Sequence, residues 1–420
     1  MRFEDGGSAV IRFPCLGASM FPEEKVQHEV AVMQYLAFHT SLPIPHVLHY
    51  GDEEESPCGL GPFIIMEHIS NEGNFIDSLN IPGRSSQERP ILDLNVSQEL
   101  LECVYGYMAD IMLQVSRHSF TEIGCIAKAN EEDEFDDTWV VKHRPLTLNM
   151  DKLVQLGGVS PDQLPTGAFK TASSYYQALA NMHMIHLSSQ RNDTIESADD
   201  CRQKYIARCL FRKITREYQL CKDDAGPFKL FCDDLRPGNV LAGVNHQLTG
   251  VIDWEFTYAA PTAFAYSPPF WLLLELPELW EDGLDDWIEK YEQILPTFLK
   301  VLQDKEQAAI ERGVLKESDR LSGHMSESWE SGDFWVNYAA RKSWAFDMVY
   351  WAKIDRRFFG MGDLEDRVYL LTPEERGEME RFVRMKMEAK EEGGLANWDD
   401  VKNALPRTSN DNVEASNSEN

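Results

Sequence analysis

Asp234, Asn239 and Asp253 stand in residues 227–261, PFKLFCDDLRPGNVLAGVNHQLTGVIDWEFTYAAP, as D-L-R-P-G-N and then the aspartate of I-D-W-E, fourteen residues beyond the asparagine. Two carboxylates and an amide oxygen at this spacing suit phosphoryl transfer, which asks little covalent chemistry of a protein. It needs a carboxylate to orient an attacking hydroxyl and accept its proton, a role open to Asp234. It also needs oxygen ligands that hold Mg2+ on a triphosphate, a role open to Asn239 and Asp253. Asp and Asn five apart in one loop put base and metal ligand at opposite ends of a single turn. Taken alone, D-x-x-x-x-N is equally an Asx-turn pattern. Pro237 and the apolar pairs Val240-Leu241 and Val251-Ile252 favour the chemical reading, because they hold the loop between two buried strands. Asp233 reads as a loop cap. Arg236 can contact substrate or phosphate or brace an acidic neighbour, and Glu255 suits a loop hydrogen bond.

The surrounding pattern supplies the elements that would position this loop. Residues 228–256 read as strand, loop, strand, turn, strand. Residues 22–38 have helical spacing at Val26, Val30, Met33 and Leu36, and Phe63 to Met66 is a short apolar run of strand character. Asp5-Gly6 predicts a hairpin turn between residues 2–3 and a strand at 8–13. Helices are expected over 94–118, with Asn95 and Gln98 as cap and N3 partner, and over 172–187, 271–303, 329–357 and 373–391. Residues 129–167 read as an acidic, turn-rich surface insertion. The acidic run at 131–137 reads as a solvated face, and 407–420 as a disordered tail. His183 and His186 lack further ligands at metal spacing and read as core histidines. Trp254 and the aromatics of 329–351 read as packing.

These residues resemble the aminoglycoside phosphotransferase-like (phosphotransferase enzyme) family, and within it a branch common in filamentous fungi. The family's usual loop is H-G-D-x-H-P-x-N followed by I-D-W/F-E. Asp234 falls on the catalytic aspartate, Asn239 and Asp253 on the metal ligands, and Pro237 on the turn. Cys232, Asp233 and Arg236 stand where many members have His, Gly and His. Ala9-Val10-Ile11-Arg12 is similar to the strand that carries the kinase lysine, with Arg12 at its position and Glu29 where the partner glutamate is expected. Residues 63–69, FIIMEHI, look like the hinge whose backbone meets adenine, which would bring Met66, Glu67 and His68 to the nucleotide.

The resemblance, over roughly residues 1–360, implies an α+β, bilobal protein-kinase-like fold. A small sheet-plus-helix lobe would span 1–70 and bind nucleotide. A larger, mainly helical lobe over 71–400 would hold the catalytic loop and the acceptor. ATP and Mg2+ are the implied cofactors, and the implied reaction moves the γ-phosphate to a hydroxyl of a small molecule. Arg12 and Glu29 would position the phosphates. The chain begins only a few residues before the Arg12 strand, so the preceding strand and its phosphate-covering turn are expected to be missing. With arginine in place of lysine, this motivates an alternative: a catalytically weak, kinase-shaped binding protein, or pseudokinase. No His-Arg-Asp or Ala-Pro-Glu supports a protein kinase.

Composition narrows the partners. Forty basic against seventy acidic residues leave a net charge of −30, which repels nucleic acid and anionic membrane surfaces. Eight scattered cysteines without a C-x-x-C pair suit a reducing compartment, and with no apolar leader a cytoplasmic location is expected. The longest apolar run, at 264–274, contains Pro268 and Pro269 and falls short of the ~20 residues of a membrane span.

Overall fold

A computed structural model of the chain describes residues 7–15, 17–85, 87–130, 137–191 and 195–391. The expected strand at 2–3 with most of its turn, the acidic run except Asp137, and the tail at 407–420 lie outside the described residues.

Ala9–Arg12 (β1), Val47–Gly51 (β2) and Phe63–Glu67 (β3) form an antiparallel sheet in the order β1-β3-β2. The apolar strand β3 is central, with Phe63, Ile64 and Met66 buried. Arg12 lies opposite Ile64, and Ala9 opposite Glu67. Helix Pro22–His39 (α1) starts on a proline, whose missing N–H costs nothing in a first turn. Val26, Val30 and Met33 recur four and three apart on its buried face, and Glu29 lies on the same face at 1% exposure. A carboxylate in that stripe is tolerable only with a partner.

After Gly73–Asn74 (β4) and Phe75–Leu79 (α2), the chain becomes mainly helical. Gln98–Ser116 (α3) is capped by Ser97, whose hydroxyl accepts the Leu100 N–H at 3.2 Å. The cap expected at Asn95 is therefore replaced, because the Asn95 N–H turns back to Asp93 at 2.9 Å. The segment 129–167 is less irregular than expected. After Ser119–Phe120 (β5), Cys125–Lys128 (β6) pairs with Trp139–His143 (β7), and Leu148–Gln155 (α4) follows. Pairing across the acidic run supplies the order that local composition does not show.

Ala172–Ser189 (α5) and Ala198–Glu217 (α6) pack together, with Tyr175, Tyr176, Leu179 and Met182 of α5 buried. His183 stacks on Phe346 at 4.2 Å and His186 packs on Trp344 at 4.7 Å, so both act as core rings. Burial, reinforced by Arg208, pushes the His183 imidazole down to about 3 and keeps it neutral.

Four strands carry the loop region: Phe228–Cys232 (β8), Val240–Ala242 (β9), Leu248–Val251 (β10) and Thr257–Ala260 (β11). Beyond Thr262–Ala265 (α7), the helix expected from residue 271 begins only at Leu284–Glu311 (α8), because Pro277 opens a separate short turn and Gly283 turns the chain at φ 85°. The expected 329–357 helix is also broken. Ser322–Ser331 (α9) ends at Gly332, φ 81°, and Asp333–Arg341 (α10) ends at Lys342. Phe346–Val349 (α11), Asp355–Phe359 (α12), Leu364–Tyr369 (α13) and Pro373–Glu391 (α14) complete the described chain. A small sheet-plus-helix lobe thus precedes a larger helical one, the architecture expected. Among the described residues no helix is long and apolar enough to cross a membrane.

Candidate active site

Two ladders bring the candidate loop residues together. β8 pairs with β11, Cys232 opposite Thr257, while β9 pairs with β10, Val240 opposite Val251. The loop 233–239 leaves β8 for β9, and the loop 252–256 leaves β10 for β11, so both cross between the same two ladders. Hydrogen bonds lock them side by side. The Asp233 N–H donates to the Phe256 carbonyl at 3.1 Å, and the Ile252 N–H to the Asn239 carbonyl at 2.9 Å. Asn239 also donates its side-chain amide to the Asp234 carbonyl at 2.9 Å. That bond spends the amide nitrogen inside the loop and leaves the amide oxygen as the group suited to a cation.

Asp253 holds a left-handed backbone, φ 57°, uncommon outside glycine and tolerated best by Asp and Asn. Its side chain is 37% exposed, and that of Asp234 is 20% exposed. Arg236 approaches Asp234 at 3.5 Å, an ion pair too long for a good hydrogen bond.

The N-terminal sheet reaches this pair of loops through Arg12. Its guanidinium grips Glu29 with two bonds, 2.9 and 2.8 Å, and also reaches Asp253 at 2.6 Å and Glu255 at 2.8 Å. Lys25, one turn before Glu29 on α1, meets Glu255 at 2.8 Å. Burial pushes the Glu29 carboxyl up to about 7, even with Arg12 opposing it. Burial likewise works against the Arg12 charge, but Glu29, Asp253 and Glu255 more than offset it and hold the guanidinium protonated. Three carboxylates (Glu29, Asp253, Glu255) thus face two cations (Arg12, Lys25). Arg12 bonds Asp253 through Oδ1, on one side of the carboxylate.

That donor chemistry fits Mg2+, a hard cation bound through one or two carboxylates plus substrate phosphates. Asp253 and the Asn239 amide offer oxygen only. Among the described residues no group of three or more His, Cys, Asp or Glu could hold a metal unaided. A cation here would need phosphate oxygens to complete its shell.

The expected hinge residues lie at the end of β3. The Met66 side chain is buried in the core. The Glu67 N–H is taken by the His46 carbonyl at 2.9 Å, and the His68 N–H by Ser8 at 3.2 Å, so neither amide is free to meet a base. Ile69 follows and packs over Gly250, where an added Cβ would lie 2.7 Å from the isoleucine Cδ1. The end of the hinge is therefore in van der Waals contact with the β9–β10 ladder.

Two parts of the site were not assigned from sequence. Lys25 had a signal, since it lies four residues before Glu29 on one helix face. Arg341 did not. It sits 108 residues beyond Asp233 and donates to its buried carboxylate at 2.8 Å, while its guanidinium lies between Phe231 and Phe264 at 4.9 and 4.8 Å. Asp233 is thus the brace of the loop, standing where the resembled family has glycine.

A three-stranded sheet whose strand-borne cation meets a helix-borne glutamate, set over a strand–loop–strand unit ending at Asp253, is the arrangement that the sequence resemblance to protein-kinase-like proteins leads one to expect. No family model matches the chain. It is 24% identical over 205 residues to Altered inheritance of mitochondria protein 9, mitochondrial, of Komagataella phaffii, a match over 45% of this chain and 32% of that protein. The chain thus spans about a third of that curated relative. Among solved structures it is similar to a thermostable mutant of an aminoglycoside phosphotransferase in ternary complex with AMP-PNP and hygromycin B, at 15% identity and TM-score 0.38 over 90% of this chain and 87% of that one. It is also similar to Plasmodium vivax ethanolamine kinase, at 10% identity and TM-score 0.39 over 86% and 74%.

Proposed function

We propose that this chain is an ATP- and Mg2+-dependent phosphotransferase acting on a hydroxyl of a small molecule. The observation that carries the reading is the locked pair of loops. Asp234 and Asn239 sit on one, Asp253 on the other, and Arg12 reaches across from the N-terminal sheet. Asp234 orients the acceptor hydroxyl and takes its proton as the oxygen bonds to the γ-phosphorus. The bond from that phosphorus to the bridging oxygen breaks, and ADP leaves with the electron pair. Asn239 and Asp253 would hold Mg2+, which when bound neutralises charge on the phosphate oxygens. Arg12, fixed by Glu29, would contact the phosphates, and Met66, Glu67 and His68 would lie along the adenine.

One observation favours a second reading. Arg12 already contacts Asp253 at 2.6 Å, so the guanidinium competes with a metal for that carboxylate. A kinase-shaped binding protein would keep this contact and turn over no acceptor.

A screen of hydroxylated metabolites, reading acceptor-dependent ADP release from the full chain, separates the two. At least one acceptor should be phosphorylated, and EDTA should abolish transfer until Mg2+ is restored. ADP release that persists undiminished in EDTA would remove the metal from the reaction. Silence across a broad panel would favour the binding protein.

A further inference from the structure

The acceptor side of Asp234 carries a charge pattern that runs against the rest of this acidic chain. Asn149 of α4 exchanges two hydrogen bonds with Ser343, at 3.1 and 3.0 Å. That clasp sets Lys152, one turn further along α4, beside Lys342, the residue before Ser343. Arg341, next in line, is bonded to Asp233, which precedes Asp234. Two lysines are therefore carried to the catalytic loop by a chain of side-chain bonds, from elements nearly two hundred residues apart.

Neither lysine makes a direct ion pair. Among the described residues neither ammonium has an ion-pair or hydrogen-bond partner, and Lys342 instead lies 5.2 Å above the Phe270 ring. Lys152 is half-buried. Burial and then the neighbouring Lys342 pull its ammonium pKa down, while Asp234, Glu278 and Asp233 pull it up. Each nearby acid has another partner, Arg236 lying 3.5 Å from Asp234. Asp233 is held by Arg341, and Glu278 accepts from the Tyr338 hydroxyl at 2.6 Å. An unpaired, half-buried ammonium is costly, and two together suit a site that an incoming anion completes.

We propose that the acceptor is an organic anion, a hydroxylated carboxylate or phosphate ester, whose negative group is bound by Lys152 and Lys342 while its hydroxyl faces Asp234. The proposal rests on the phosphotransferase reading for its hydroxyl, but the anion subsite stands on the two lysines alone.

The test compares size-matched probes on the full chain with Mg-ATP: glycerate and 3-hydroxybutyrate, neutral glycerol, and cationic choline and ethanolamine. ADP release should be stimulated by a hydroxy acid. Lys152→Met or Lys342→Met should raise its KM at least tenfold with a smaller effect on kcat, and Lys152→Arg should restore most of the loss. Preferential use of choline or ethanolamine, or an unchanged KM in both methionine variants, overturns the proposal. A second arm omits nucleotide and reads thermal stabilisation by the same hydroxy acids. Stabilisation of the wild type that is lost in the Lys152→Met, Lys342→Met double variant upholds the subsite even if no transfer occurs. No stabilisation of the wild type by any anion, together with no stimulated turnover, overturns it.

Discussion

Asp234→Ala should lower acceptor-dependent turnover by ~10²–10⁴, the usual worth of a positioned general base, while Mg-ATP still binds. The separation is expected because the loop is not held by the side chain being removed. Asn239 bonds the backbone carbonyl of residue 234, and Asp233 and Asn239 tie the loop to 252–256 through backbone groups. Truncation therefore takes away proton acceptance and hydroxyl orientation without freeing the loop. Comparing kcat for the best acceptor with the Mg-ATP-induced thermal shift checks both halves. Turnover within a few-fold of wild type would remove Asp234 from the chemistry.

The second large effect concerns the brace beneath that loop. Arg341→Met should destabilise the fold by about 3–5 kcal/mol, the range for breaking a buried ion pair and stranding one partner. Asp233 is 1% exposed, and one of its oxygens already lacks a partner among the described residues. Its other oxygen depends on Arg341. Methionine fills part of the space between Phe231 and Phe264 but offers no hydrogen bond. A second change, Asp233→Leu, should recover much of the loss, because a buried pair replaced on both sides by apolar groups is often near neutral. Urea unfolding of the single and double variants reads both effects. A loss under ~1 kcal/mol in Arg341→Met would mean that Asp233 finds water or another partner.

The parts of the fold legible in the sequence were those written in local pattern. Val26, Val30 and Met33 mark α1, and the run from Phe63 marks the buried strand β3. Inside the expected helices, Pro277 opens a separate short turn, Gly283 caps the start of α8 at φ 85°, and Gly332 ends α9 at φ 81°. Asp234, Asn239 and Asp253 stand out in the sequence because the roles proposed for them call for fixed residue types in two short loops. Arg12 with Glu29 was legible through the resemblance, and the structure adds that the same guanidinium reaches Asp253 and Glu255. What could not be read was anything set by long-range approach. Arg341 meets Asp233 only because α10 packs under the loop. Lys152 comes beside Lys342 only because Asn149 clasps Ser343 across 194 positions. Such pairs leave no periodic trace in a single sequence.

Asn239 and Asp253 are proposed to hold one metal ion that exists there only with nucleotide phosphates. Thermal titration with Mg-ATP, Mg2+ alone and ATP with EDTA, on the wild type and on Asp253→Ala, tests this most directly. Mg-ATP should stabilise the wild type by about 2.7 kcal/mol at a hundredfold excess over Kd, with neither component sufficient alone, and the shift should vanish in Asp253→Ala. Equal stabilisation of the variant, or none in the wild type at millimolar Mg-ATP, would contradict a metal–phosphate site between these loops.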